Sequence, residues 1–198
     1  ARVEAWAQRG FNPHRRKGIS DEQIDQHWKL YEGYVKNTNE LVDEVGHAER
    51  GSRHWAELKR RAAFELDGMV LHEYYFENLK AGTQLGPRTG LAQTLGAGWK
   101  TVDDWRADFA ATGQIRGVGW AILYFDRSTN QLFNWWVGDH EIGHPAGWAP
   151  ILVMDVWEHA FMTDHGASGR KEYVEAFMEN VNWDVAARRY ESAREQRG

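Results

Sequence analysis

The 198-residue chain contains no cysteine, which excludes disulfides, iron–sulfur clusters and thiolate-bound zinc but leaves the compartment open. No apolar run approaches the roughly 20 residues that a membrane-spanning helix needs, so an integral membrane protein is not expected. No block of Lys and Arg occurs and the formal net charge is −5, which argues against a nucleic-acid partner. Repeats and low-complexity segments are absent too. No signal-peptide pattern opens the chain, a cytoplasmic location is expected, and the start at Ala1 rather than Met fits a trimmed N-terminus. The remainder is an ordinary globular composition, 42% hydrophobic and 27% charged, with 11 Trp that imply an aromatic-rich core. This length suits one large domain or two small lobes sharing an interface.

Residues 1–18 are basic and polar, with Gly10, Pro13 and Gly18, and read as an irregular arm. Ser20-Asp21-Glu22-Gln23 is a capping box, Ser at the N-cap with Gln at the third helical position. Ile24, His27, Leu30, Tyr31, Tyr34, Val35, Thr38, Leu41, Val42 and Val45 then recur at three-to-four spacing, which predicts one long helix to about Gly46. A second helix is predicted from about Arg53 to Leu79, with Leu58, Ala62, Leu66, Met69, Val70, His72 and Phe76 facing inward. Two long helices joined by a short break form an antiparallel hairpin. Gly-rich turns are expected over 82–99, then a short helix over 101–112. Gly119–Asp126 and Gln131–Val137 flank a polar turn and read as a β-hairpin, Ile151–Asp155 as a third strand, and 169–181 and 184–194 as helices. The expected fold is α+β: an N-terminal arm and α-hairpin lobe (1–82), then an α+β lobe (83–198) around a three-stranded antiparallel sheet.

The chemistry concentrates at four positions. Asp155 and His159 stand four apart in an otherwise apolar stretch, and burying both is costly unless something compensates, a metal ion most effectively. His27 and His72 each sit on the apolar side of a long helix. A single such His is most often a core residue with a local hydrogen bond. Together, three imidazoles and one carboxylate form a ligand set suited to iron or manganese, with two ligands expected from each lobe. His14, His47, His54 and His165 lie in polar surroundings and are assigned to the surface, and His144 in its Gly/Pro-rich turn to no role.

Asp155-Val-Trp-Glu-His-Ala160 resembles the signature of the iron/manganese superoxide dismutase family. Ile19-Ser-x-Glu-x-Ile-x-x-His27 and Tyr34-Val-x-Asn37 are similar to the family's first helix, and His72-x-x-Tyr75-Phe76-x-x-Leu79 to its second-ligand motif. Gly119-Trp120-Ala121 resembles its first strand, and Asn182-Trp183-Asp184 with Arg189-Tyr190 its last helix. The match covers roughly residues 19–192. The resemblance implies a superoxide dismutase holding one Fe or Mn ion per chain on His27, His72, Asp155 and His159, with solvent in a fifth position. It implies superoxide as the substrate and a homodimer or homotetramer. Tyr34 would be the gateway tyrosine. The family's outer donor to the solvent, a Gln, would fall either at Gly68, which carries no donor, or fifteen residues before Asp155, at His140. Trp120 and Trp157 would wall the pocket, Glu158 would reach the partner subunit's His ligand, and Arg170 would be the funnel arginine, one residue later than usual.

The pattern departs from the family at the entrance. His27 and Tyr34 are seven apart, one fewer than usual, which still places both on one helix face. A gateway His is replaced by Leu30 and the partner Tyr that contacts it by Met162. This coordinated loss keeps a second reading open, an enzyme with the same fold and metal but other oxygen or small-organic-substrate chemistry in a pocket lined by Leu30 and Met162. A non-catalytic metal-binding protein is a third, opposed by the presence of His140 and Tyr34.

Overall fold

The structure is a computed structural model and describes residues 16–196. Most of the expected amino-terminal arm, with His14, lies outside the described residues. The first helix, α1 (Asp21–His47), starts where the cap predicts: Ser20 Oγ accepts from the Gln23 N–H at 3.0 Å. The reciprocal half of the capping box is diverted. Ser20 N–H donates to Asp164 at 2.6 Å, while the buried Gln23 amide donates to the His159 carbonyl at 2.6 Å and accepts from the Thr163 N–H at 3.0 Å. The start of α1 therefore grips the backbone around His159.

Ser52 caps α2 (Arg53–Glu77), and the pairs His27–His72 and Asn37–Glu65 run in opposite directions along the two helices, as an antiparallel hairpin requires. The inward face is narrower than expected. Leu30, Val42 and Leu66 are exposed because they fall at the margins of the apolar stripe, beyond the reach of the partner helix and the sheet.

Gly90–Trp99 is a helix, α3, where Gly-rich turns were expected. Thr89 caps it and Leu91, Ala92 and Leu95 are buried, so packing against α4 and α7 outweighs the low helix propensity of its three glycines. Helix α4 (Val102–Gly113), capped by Thr101, leads into β1 (Gly119–Asp126), β2 (Gln131–Gly138) and β3 (Ala149–Asp155). The sheet is antiparallel in the order β2-β1-β3, with Trp120 opposite Asp155. A 3₁₀ turn (Glu158–Ala160), α5 (Met162–His165), α6 (Arg170–Glu179) and α7 (Trp183–Glu195) complete the chain. Helix α2 packs on β3 from one side and α7 from another. One hydrophobic core runs from α1 through the sheet to α7, with Tyr31, Tyr75, Trp105 and Trp120 fully buried. Among the described residues no helix is long and apolar enough to cross a membrane.

Candidate metal centre

Four elements converge on one point. His27 comes from the first third of α1, His72 from the last turns of α2, Asp155 from the end of β3, and His159 from the 3₁₀ turn that follows. Their donor atoms all lie within 4.8 Å of one another. His27 Nε2 and His159 Nε2 are each 2.9 Å from Asp155 Oδ2, and His72 Nε2 is 3.5 Å from it. His27, His72 and Asp155 are completely buried. Burial lowers the pKa of His27, against the pull of Asp155, and lowers that of His72 further, helped by the neighbouring His27. Burial alone would raise the Asp155 carboxyl, yet the imidazoles of His159 and His27 outweigh it and hold the group well below the ordinary carboxylate range. The cluster thus sets an ionised carboxylate against the neutral imidazoles of His27 and His72.

The proton on His72 decides what the cluster lacks. His72 Nδ1 faces the Gly68 carbonyl, which can only accept, so Nδ1 carries the hydrogen and Nε2 is a bare lone pair. That Nε2 is buried without a hydrogen-bond partner among the described residues and points at an anionic oxygen. Two electron-rich atoms held this way call for a cation between them. The spacing fits one: donors about 2.1 Å from a first-row ion, at about 90–120° to each other, lie about 3.0–3.6 Å apart. Imidazole and carboxylate ligands suit Fe and Mn.

The surroundings orient these four side chains. Asp155 Oδ1 accepts the Trp157 N–H at 2.9 Å, and its main-chain oxygen accepts from Tyr173 Oη at 2.6 Å. Trp120 is fully buried and meets His72 edge-on at 5.1 Å. Trp157 stacks on His140 at 4.6 Å and on His159 at 5.6 Å. Tyr34 faces inward as the seven-residue spacing predicts, stacked on His72 at 5.2 Å. His140 is buried, and both its ring nitrogens are engaged, Nδ1 by Trp120 Nε1–H at 3.1 Å and Nε2 by Tyr34 Oη at 2.6 Å. Burial lowers its pKa to about 4, so the ring is neutral near pH 7. Because an indole N–H can only donate, Nδ1 is the acceptor and Nε2–H donates to the Tyr34 oxygen. The Tyr34 hydrogen is therefore left for another acceptor, and burial raises its pKa to about 12.

The remaining expected residues lie at the edge. Glu158 is exposed and the His159 side chain is 19% exposed. Arg170 donates from Nε to the Gly113 carbonyl at 2.9 Å and from Nη1 to Gly117 at 2.8 Å, tying the α4–β1 connection; its Nη2 is buried with no partner among the described residues. Several contributors carried no signal in the sequence. Gln23 clamps the His159 backbone, and Phe64 lies 4.7 Å from the His140 ring beneath the Arg61 guanidinium, itself 4.0 Å from the Phe64 ring. His144, given no role above, is half-buried and bonded to the His140 carbonyl.

The family model described as "Iron/manganese superoxide dismutases, C-terminal domain" matches residues 87–189. The chain is similar to the superoxide dismutase (Fe) of Cupriavidus metallidurans, 32% identical over 193 residues, or 93% of this chain and 94% of that protein. It is 32% identical over 197 residues to the superoxide dismutase (Fe) of Aquifex aeolicus, spanning 92% and 89% of the two chains. A superoxide dismutase (Mn) of Haloferax volcanii is 33% identical over 180 residues, 88% of each chain.

Proposed function

The chain belongs to the iron/manganese superoxide dismutase family, and from that premise we propose how its own residues carry out the disproportionation of superoxide on one Fe or Mn ion per chain. His27, His72, Asp155 and His159 would hold the metal between the helical-hairpin lobe and the α+β lobe, the described parts of 1–82 and 83–198. One observation carries this assignment: the bare His72 Nε2 turned toward the ionised Asp155, both side chains fully buried.

In the net reaction two superoxide anions and two protons become one dioxygen and one hydrogen peroxide. An Fe or Mn ion held there would supply the one-electron couple that this disproportionation needs. One carboxylate and three imidazoles around a divalent or trivalent ion would leave the centre positive, which would draw in an anion. Arg170, and Arg61 above Phe64, add positive charge near the approach, the latter moderated by its ion pair with Glu65 at 3.0 Å. Tyr34 holds a proton at its hydroxyl, and the bond from His140 Nε2–H keeps that hydrogen free for the reacting oxygen. Trp120 and Trp157 exclude water and hold the His140 ring.

A second copy of the chain completes the outer side. Leu30 and Met162 are 43% and 45% exposed, Glu158 is exposed as well, and the His159 hydrogen bond to Asp155 uses Nε2, leaving Nδ1 on the other side of the ring. We assign Leu30 and Met162 to a subunit contact rather than to an organic-substrate pocket, with Glu158 accepting from the partner's imidazole. Superoxide turnover per metal, measured on protein with quantified Fe or Mn, tests the function. His159→Ala tests the ligands: it should abolish stoichiometric metal, and full occupancy in that variant would show the assignment to be wrong.

A further inference from the structure

We propose that His144 is a positioning residue: it fixes the backbone from which His140 reaches Tyr34 and Trp120, and so helps to set the redox behaviour of the centre. This rests on the metal-site reading above. His144 Nε2 lies 2.7 Å from the His140 carbonyl, an acceptor only, so Nε2 carries a hydrogen and donates. Nδ1 lies 2.6 Å from the Tyr124 hydroxyl. That phenol is buried on β1, and burial pushes its pKa well up, so it keeps its hydrogen and donates to Nδ1. Asp67, immediately before Gly68 on α2, stands 3.8 Å from His144 Nε2. One imidazole thus links β1, the loop after β2, and the helix that carries His72.

The link matters because of what hangs from that carbonyl. The His140 ring is held on its far side by Tyr34, Trp120 and Trp157. Its own backbone follows Asp139, a non-glycine residue at φ 47°, in a tight loop closed by the paired hydrogen bonds between Gly138 and Ile142. The ring contacts and the His144 contact therefore grip opposite ends of one residue. Asp139 is also held, by its N–H to the Val118 carbonyl and its carbonyl to Trp157 Nε1, but among the described residues the His140 carbonyl itself is bonded by His144. With that contact released, the His140 backbone can shift and lengthen the 2.6 Å bond to Tyr34, and hydrogen bonds weaken steeply with distance and angle. Groups one step beyond a ligand typically change affinity or activity 10- to 100-fold when lost.

The test uses the metal-loaded protein. In His144→Ala, metal occupancy should be retained, the reduction potential should move, and turnover should fall about tenfold. In zinc-loaded protein, which is diamagnetic, the ¹⁵N imidazole resonances of His140 should shift. His144→Gln, which keeps a donor for the carbonyl and an acceptor for the phenol, should return potential and resonances close to wild type. If His144→Ala folds with the wild-type potential and His140 resonances, the proposal is overturned and His144 serves stability alone. Should that variant not fold, Tyr124→Phe replaces it: a shifted potential and shifted His140 resonances support the proposal, and unchanged values reject it. Loaded wild-type protein without superoxide turnover would defeat the function assigned above, while the His140 resonances would still decide the role of His144.

Discussion

Gly68→Ala puts a number on how tightly Tyr34 is held. Gly68 is buried in α2, one turn before His72, and a Cβ built there would lie 2.7 Å from Tyr34 Cδ1 and 2.9 Å from Cε1. Non-bonded carbons rest at about 3.5–4.0 Å, so the ring would have to retreat by about 0.8 Å. It has little freedom to do so, being stacked on His72, set edge-on to His140 and bonded to it at 2.6 Å. The same displacement along that bond would stretch it to about 3.4 Å, past the usual limit of about 3.2 Å. Alanine gains about 0.8–1.0 kcal/mol over glycine inside a helix, whereas over-packing a core costs about 1–3 kcal/mol. Packing at least cancels that gain, and the net loss is about 0–2 kcal/mol, a Tm lower by up to about 8 °C for a chain of this size. Turnover should fall about tenfold with metal still bound, since the Tyr34–His140 bond is the contact displaced. Gly96→Ala on α3, where nothing lies within 4 Å of the new Cβ, should instead raise Tm by about 2–4 °C. Thermal unfolding and superoxide turnover on both variants decide the matter. A Gly68→Ala protein as stabilised as Gly96→Ala, with unchanged turnover, would refute the view that Tyr34 is pinned.

Three further outcomes are expected. His140 has a folded pKa near 4, below the ordinary 6.5, so its contribution to stability is complete above about pH 6.5 and is lost as pH falls toward 4, because the unfolded chain takes up the proton first. His140→Gln, measured by denaturant unfolding across that range, should flatten the curve by at most one proton, about 1.4 kcal/mol per pH unit; identical curves would remove His140 from the buried network. Glu158→Ala should weaken subunit association and metal retention together, read by sedimentation and metal analysis, and a wild-type protein monomeric at micromolar concentration contradicts the subunit contact. Tyr34→Phe should cost more turnover than the double change Leu30→His/Met162→Tyr gains, because His140 then donates into a ring that has lost its oxygen; a larger gain from the double change would place proton delivery at the entrance instead.

The amino-acid sequence by itself determined what depends on near neighbours. Ser20 with the three-to-four periodicity delimits α1, and the inward residues alone delimit α2, to within about two residues, the aromatic runs delimit the hairpin, and His27, His72, Asp155 and His159 stand out as polar groups at apolar positions. The seven-residue spacing was enough to turn Tyr34 toward His72, because the helical repeat makes that a local matter. Everything that depends on a distant partner was left to the tertiary structure. Helix α3 forms despite its glycines because α4 and α7 bury Leu91 and Leu95. Gln23, which reads as half of a capping box, is drawn away by the His159 backbone 136 residues later. The protonation of His72 and of His140 follows from which atoms face them, the Gly68 carbonyl and the Trp120 indole, and periodicity does not encode that. His144 reads as a residue of a Gly/Pro-rich turn with no role until the fold brings Tyr124 and Asp67 against it. Local patterns choose elements and faces; which lone pair meets which proton is settled only when the elements pack.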